Sequence, residues 1–138
     1  MSNGYLLDTS VLLETLRARP AMAVMEWMES VDQEKFYVSA LTIGELMAAL
    51  EQVSDPDRRT ALMRWILTDM QSWFRGKILT LTPEVAAFWG SVAGKVAKDV
   101  PAITGLQVAF ALKQGLTLVT REVVNVPHLQ TINPWVKG

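Results

Sequence analysis

LTLVT (116–120) follows a helical stretch closed by Gly115 and is apolar at nearly every position. A strand with one wet face alternates polar and apolar residues. A nearly continuous apolar run of this length belongs in a sheet covered on both faces, as parallel sheets are. YLL (5–7), FYVSA (36–40) and KILTL (77–81) read as further short strands, and TINPW (131–135) holds a last one.

Helical stretches separate these runs. LLETLRA (12–18) starts one, and PAMAVMEWMES (20–30) continues as another with Pro20 at a first helical position. TIGELMAALEQV (42–53) opens with Thr42 as an N-cap and Glu45 three residues on, the spacing of a capping box. A long helix runs from the cap at Asp55 and Pro56 to about Phe74, where Gly76 stops it. TPEVAAFWGSVAGKVAKD (82–99) has Thr82 as cap, Pro83 at its first position, and a buried stripe of Val85, Phe88, Trp89, Val92 and Val96. AITGLQVAFALKQG (102–115) is the last helix. Strands alternating with helices predict an α/β layer fold with a mostly parallel central sheet. The 138 residues contain no linker, repeat or low-complexity stretch, so a single domain spanning 1–138 is expected.

Composition removes several chemistries. The chain has no cysteine, which excludes a disulfide framework, a thiolate zinc site and a cysteine nucleophile. A lone histidine, His128, excludes a His-rich metal site within one chain and reads as a loop residue. With a net charge of −1, nucleic acid would not bind through bulk electrostatics; a local basic patch or bound metal would be needed. Neither a basic leader with a long apolar run nor a stretch of ~18 apolar residues is present, so no signal peptide or membrane span is expected, and a cytoplasmic location is expected. The five tryptophans (Trp27, Trp65, Trp73, Trp89 and Trp135) read as core or interface packing.

Ligands of open parallel sheets sit outside the carboxyl ends of the strands. Asp8, Thr9 and Ser10 fall there after the first strand. Thr120, Arg121 and Glu122 follow the LTLV strand, with Asn125 close behind. Glu45 lies in the first turn of the helix after the second strand, and Thr104 begins the helix leading into LTLV. Carboxylates meeting at one edge repel unless a proton or cation joins them. Hard oxygen ligands suit Mg²⁺ or Mn²⁺, which can activate water and stabilise phosphate oxygens. Structural roles are open at the same positions: Asp8 as a helix cap, Glu45 as the far half of a capping box, and Thr120 and Arg121 as turn residues.

LLDTSVLLE, VSALTIGEL, GLTLVTRE and INPW occur in this order along nearly the whole chain. Together they resemble the motifs of the PIN-domain family, specifically VapC-like toxins of bacterial toxin–antitoxin pairs and related plasmid-stability proteins. The resemblance implies a three-layer α/β/α domain and a metal-dependent endoribonuclease whose acids bind Mg²⁺ or Mn²⁺ and activate water. It also implies a small antitoxin that holds the protein inactive, and a homodimer. By motif match, Asp8 takes the first acidic position and Glu45 the second, while Thr9 or Ser10, and Thr120, match hydroxyl-bearing positions nearby.

The pattern is broken in the later motifs. The family usually has an aspartate where this chain has Thr104, and another acid where it has Asn125; after Arg121, often followed by Asn or Asp, stands Glu122. Fewer anionic ligands mean weaker metal affinity. Three functions stay open: a VapC-like ribonuclease, active or weakened, with Glu122 as a replacement acid; a degenerate PIN domain acting as a protein-binding module; and, more distantly, an aspartyl phosphotransferase suggested by LLDTS. The phosphatase version of the last wants a second aspartate where this chain has Ser10.

Overall fold

The computed structural model describes residues 3–95 and 100–136. Five short strands form one sheet: β1 (Tyr5–Leu7), β2 (Phe36–Ser39), β3 (Ile78–Leu79), β4 (Thr117–Val119) and β5 (Thr131–Ile132). Their order is β3-β2-β1-β4-β5, and every pairing is parallel. The helices are α1 (Thr9–Thr15), α2 (Met22–Ser30), α3 (Ala40–Ala49), α4 (Pro56–Arg64), α5 (Met70–Trp73), α6 (Pro83–Val92) and α7 (Ala102–Gln114). A π-helical turn, Trp65–Asp69, joins α4 to α5, so the expected long helix is one path with a wider turn in its middle.

The period of two along each strand splits the core into two layers. Leu7, Val38 and Val119 turn to one face, under Val11 of α1, Val24 of α2, Leu46 of α3, and Ile66 and Met70. Leu6 and Leu118 turn to the other, under Val85 and Val92 of α6 and Val108 and Phe110 of α7. Leu6, Leu7, Leu118 and Val119 have no exposed surface, and burying each contributes roughly 1.5–3 kcal/mol. This is the parallel α/β layering that the alternating pattern predicts, in the three-layer α/β/α form that the resemblance implies.

Several local expectations hold. Asp55 caps α4 by accepting from the Arg58 amide, and Thr82 caps α6 by accepting from the Val85 amide. Gly115 ends α7 at φ 65°, a left-handed conformation in which a side chain is strained. Others need correction. Pro20 lies two residues before the first residue of α2, whose cap is Ala21. Helix α3 begins at Ala40 with Ser39 in the extended conformation as its cap position, so Thr42 is inside the helix. Of KILTL only Ile78 and Leu79 pair as strand. Trp27, Trp65, Trp89 and Trp135 pack against the two core layers, whereas Trp73 is exposed. Val96 lies outside the described residues. His128 is an exposed loop residue with φ 70°.

Candidate active site

Strand order reverses direction next to β1: the chain passes from β1 through β2 to β3 on one side, then returns to β4 and β5 on the other. In open parallel sheets the crevice at such a reversal is where ligands sit. Asp8 and Thr120 occupy its two banks, each directly after a strand. The Asp8 amide donates to the Val119 carbonyl at 2.9 Å, which extends the ladder by one rung and fixes where the carboxylate emerges.

Asp8 is at the cap position of α1, yet its side chain caps nothing. Its Oδ2 accepts instead from the Ser10 hydroxyl and from the buried Thr120 hydroxyl, both at 2.9 Å. Thr120 in turn accepts from the Glu122 amide at 3.1 Å, which ties the turn after β4 to the same point. Asp8 Oδ1 accepts no hydrogen bond from any described residue.

The capping-box reading of Glu45 fails for a related reason. Because α3 starts at Ala40, Thr42 and Glu45 are a full turn apart on one inner face. Both turn toward α1. Thr9 donates to Glu45 Oε1 at 2.5 Å, and its hydroxyl lies 2.9 Å from that of Thr42. Thr9 directly follows Asp8, so Asp8 and Glu45 flank one threonine at the carboxyl edge of the sheet.

The remaining sequence-predicted residues separate into two groups. Thr104 is buried in the first turn of α7, where its hydroxyl makes no hydrogen bond among the described residues. The side chains of Arg121, Glu122 and Asn125 are exposed on the loop after β4. The Arg121 guanidinium stacks 4.2 Å above the Trp135 ring. Neither the Glu122 carboxylate nor the Asn125 side chain is drawn into the bonds around Asp8.

Two buried polar residues went unnoticed in the sequence. Glu14, on the inner side of α1, accepts from Arg17, the Ala21 amide and the Trp135 indole. The Ala21 hydrogen bond leads in holding its carboxyl below the usual value of 4.5; Arg17 and Trp135 add to this against the opposing effect of burial. The signal was an acid three positions after Val11 on an apolar helix face. Gln107, fully buried in α7, donates to the Thr42 hydroxyl at 3.1 Å. Its signal was a polar residue one turn after Thr104 inside an apolar run.

Among the described residues, no three His, Cys, Asp or Glu side chains gather in a group able to hold a metal ion. Two carboxylates, each with one oxygen free of hydrogen bonds from described residues, still fit a hard divalent cation. Mg²⁺ commonly binds through one or two carboxylates, with waters and substrate phosphates completing its shell. No helix among the described residues is long and apolar enough to cross a membrane.

Comparison with known proteins finds similar chains. A family model described as PIN domain matches residues 5–123. Toxin FitB of Neisseria gonorrhoeae is 30% identical over 135 residues, covering 94% of this chain and 97% of FitB. VapC ribonuclease Y4jK of Sinorhizobium fredii is 26% identical over 134 residues, covering 94% of this chain and 96% of its own. The crystal structure of FitAcB from Neisseria gonorrhoeae superposes with a TM-score of 0.84 at 29% identity, covering 95% of this chain and 98% of the other.

Proposed function

The chain belongs to the PIN-domain family, and from that membership we propose that it is the toxin of a toxin–antitoxin pair, a metal-dependent endoribonuclease that a small antitoxin holds inactive. The observation that carries the reading is the pair Asp8 and Glu45 at the sheet's reversal point, oriented by hydroxyls rather than used as helix caps. PIN-domain ribonucleases of the VapC kind depend in general on divalent metal. Mg²⁺ or Mn²⁺ is the ion we assign here, held by Asp8 and Glu45.

A bound divalent cation supplies Lewis acidity to a water and offsets charge on a phosphodiester. The protein's part is orientation. Ser10 and Thr120 hold Oδ2 of Asp8, which turns Oδ1 outward. Thr9 holds Oε1 of Glu45, which leaves Oε2 as the oxygen that would face the cation. Arg121, propped on Trp135 beside the site, meets an RNA phosphate as a positive charge. Thr104 and Asn125 line the RNA path, and Glu122 is the acid nearest in sequence to replace the missing ones. A homodimer belongs to the same reading: Met63, Leu67 and Trp73 leave apolar surface exposed along α4 to α5.

One observation favours a second reading, a non-catalytic PIN domain that only binds its antitoxin: the absence of a third acid beside Asp8 and Glu45 among the described residues. An RNA cleavage assay in Mg²⁺ or Mn²⁺, with and without chelator, tests the choice. Cleavage that the chelator abolishes is expected. Thr104→Asp adds a carboxylate in the first turn of α7, where the helix dipole favours it. It is expected to tighten metal binding by about ten- to a hundredfold, ~1–3 kcal/mol, and to speed cleavage. If both proteins fold and the variant binds metal, yet neither cuts RNA, the binding-only reading replaces the enzymatic one.

A further inference from the structure

We infer that Gln107 and Thr42 are positioning residues for the metal site: a buried chain of hydrogen bonds, Gln107 to Thr42 to Thr9 to Glu45, fixes the direction in which Glu45 presents its free carboxylate oxygen. The inference rests on the reading of Asp8 and Glu45 as the metal-holding acids.

Counting protons gives the chain its direction. Thr9 has one hydroxyl proton, and the 2.5 Å contact with Glu45 Oε1 requires it. A carboxylate has no proton to give, so Thr9 donates there. The 2.9 Å contact between Thr9 and Thr42 must then use the Thr42 proton. The 3.1 Å contact between Thr42 and Gln107 must in turn use an N–H of the Gln107 amide. All three donations point toward Glu45. Thr9, Thr42 and Gln107 are buried, with Thr42 and Gln107 at 0% exposure, so water does not compete for these bonds.

The position of Gln107 argues that its role is specific. Its Oε1 is buried and has no partner among the described residues. A glutamine that leaves its carbonyl unsatisfied in the core is a poor packing residue, because an apolar side chain of similar volume would carry no such cost. What this amide supplies is the N–H donated to Thr42. The chain runs from α7 through α3 to α1, so one line of bonds couples three helices from both faces of the sheet to the orientation of a single carboxylate.

Groups that orient metal-holding side chains affect metal affinity without touching the metal. Thr42→Val keeps the branched shape of threonine and removes the hydroxyl, whereas Thr42→Ser keeps the hydroxyl. Mn²⁺ titration followed by electron paramagnetic resonance is expected to show Thr42→Val binding about ten- to a hundredfold more weakly, with Thr42→Ser within about twofold of the natural chain. Gln107→Leu is expected to weaken binding in the same direction. Thermal unfolding identifies any variant that has lost its fold. Equal losses in Thr42→Val and Thr42→Ser, or no loss in either while the natural chain binds Mn²⁺ through Asp8, would overturn the inference.

A metal-free readout keeps this separate from the metal assignment. In the natural chain and in Thr42→Ser, NMR should show a slowly exchanging Thr9 hydroxyl proton close to the Glu45 side chain; in Thr42→Val that proton should exchange fast. If Mn²⁺ fails to bind in an Asp8-dependent way, the metal reading falls, and this hydroxyl signal alone decides whether the chain of bonds orients Glu45. Its absence from the natural chain would overturn the inference as well.

Discussion

Asp8→Asn is expected to lower RNA cleavage by on the order of 10²–10³, with the fold intact. The change is nearly isosteric, and the backbone bond from residue 8 to Val119 survives it. What it removes is charge. One asparagine orientation can keep the oxygen that Ser10 and Thr120 contact, but it turns an amide NH₂ toward the position of Oδ1. An NH₂ cannot hold a cation. Steady-state cleavage of a model RNA, with circular dichroism as a check on folding, measures the loss. A variant that cuts RNA as fast as the natural chain would move the chemistry away from this edge.

The second large effect concerns stability. Glu14→Gln is expected to cost about 2–4 kcal/mol at neutral pH. Glu14 accepts from the Ala21 amide at 2.8 Å, from Arg17 Nη1 at both carboxylate oxygens (3.3 Å to Oε1 and 3.2 Å to Oε2), and from the Trp135 indole at 3.4 Å. Glutamine offers one acceptor oxygen where the site has donors on both, so an NH₂ must face another N–H. The pH dependence has a definite sign. The folded-state pKa of Glu14 is lowered from 4.5, chiefly by the Ala21 bond. Its contribution is therefore fully present above 4.5 and is lost as pH falls through the lower folded value. The difference in unfolding free energy between natural chain and variant should stay level from about pH 8 to 5 and shrink in stronger acid. Urea denaturation across that range gives the comparison directly. A constant difference down to the acid limit would mean that packing, and not charge, sets the cost.

The layering was legible because strands buried on both faces have a compositional signature, and Leu6, Leu7, Leu118 and Val119 carry it. Helix ends were legible where one residue decides them, as at Asp55, Thr82, Gly76 and Gly115. They were not legible at α3. A capping box and an inward-facing pair one turn apart share the same three-residue spacing, so the sequence alone does not separate them. The extended backbone at Ser39 decides the matter by starting the helix at Ala40. Gln107 and Glu14 were hidden for a different reason. Their partners Thr42 and Trp135 are 65 and 121 positions away, and no local pattern reports a contact across that distance. The INPW ending gains a structural role by the same route: Trp135 bridges the buried Glu14 and the exposed Arg121.

Paramagnetic broadening by Mn²⁺ tests the central assignment most directly, because it locates the ion without requiring turnover. Substoichiometric Mn²⁺ added to ¹⁵N-labelled protein should first erase the amide signals of Asp8, Thr9, Ser10, Glu45, Thr104 and Thr120, and Asp8→Asn should restore them. Broadening centred on exposed acids elsewhere, such as Glu84 or Asp57, with the signals around Asp8 unchanged, would contradict a metal site between Asp8 and Glu45.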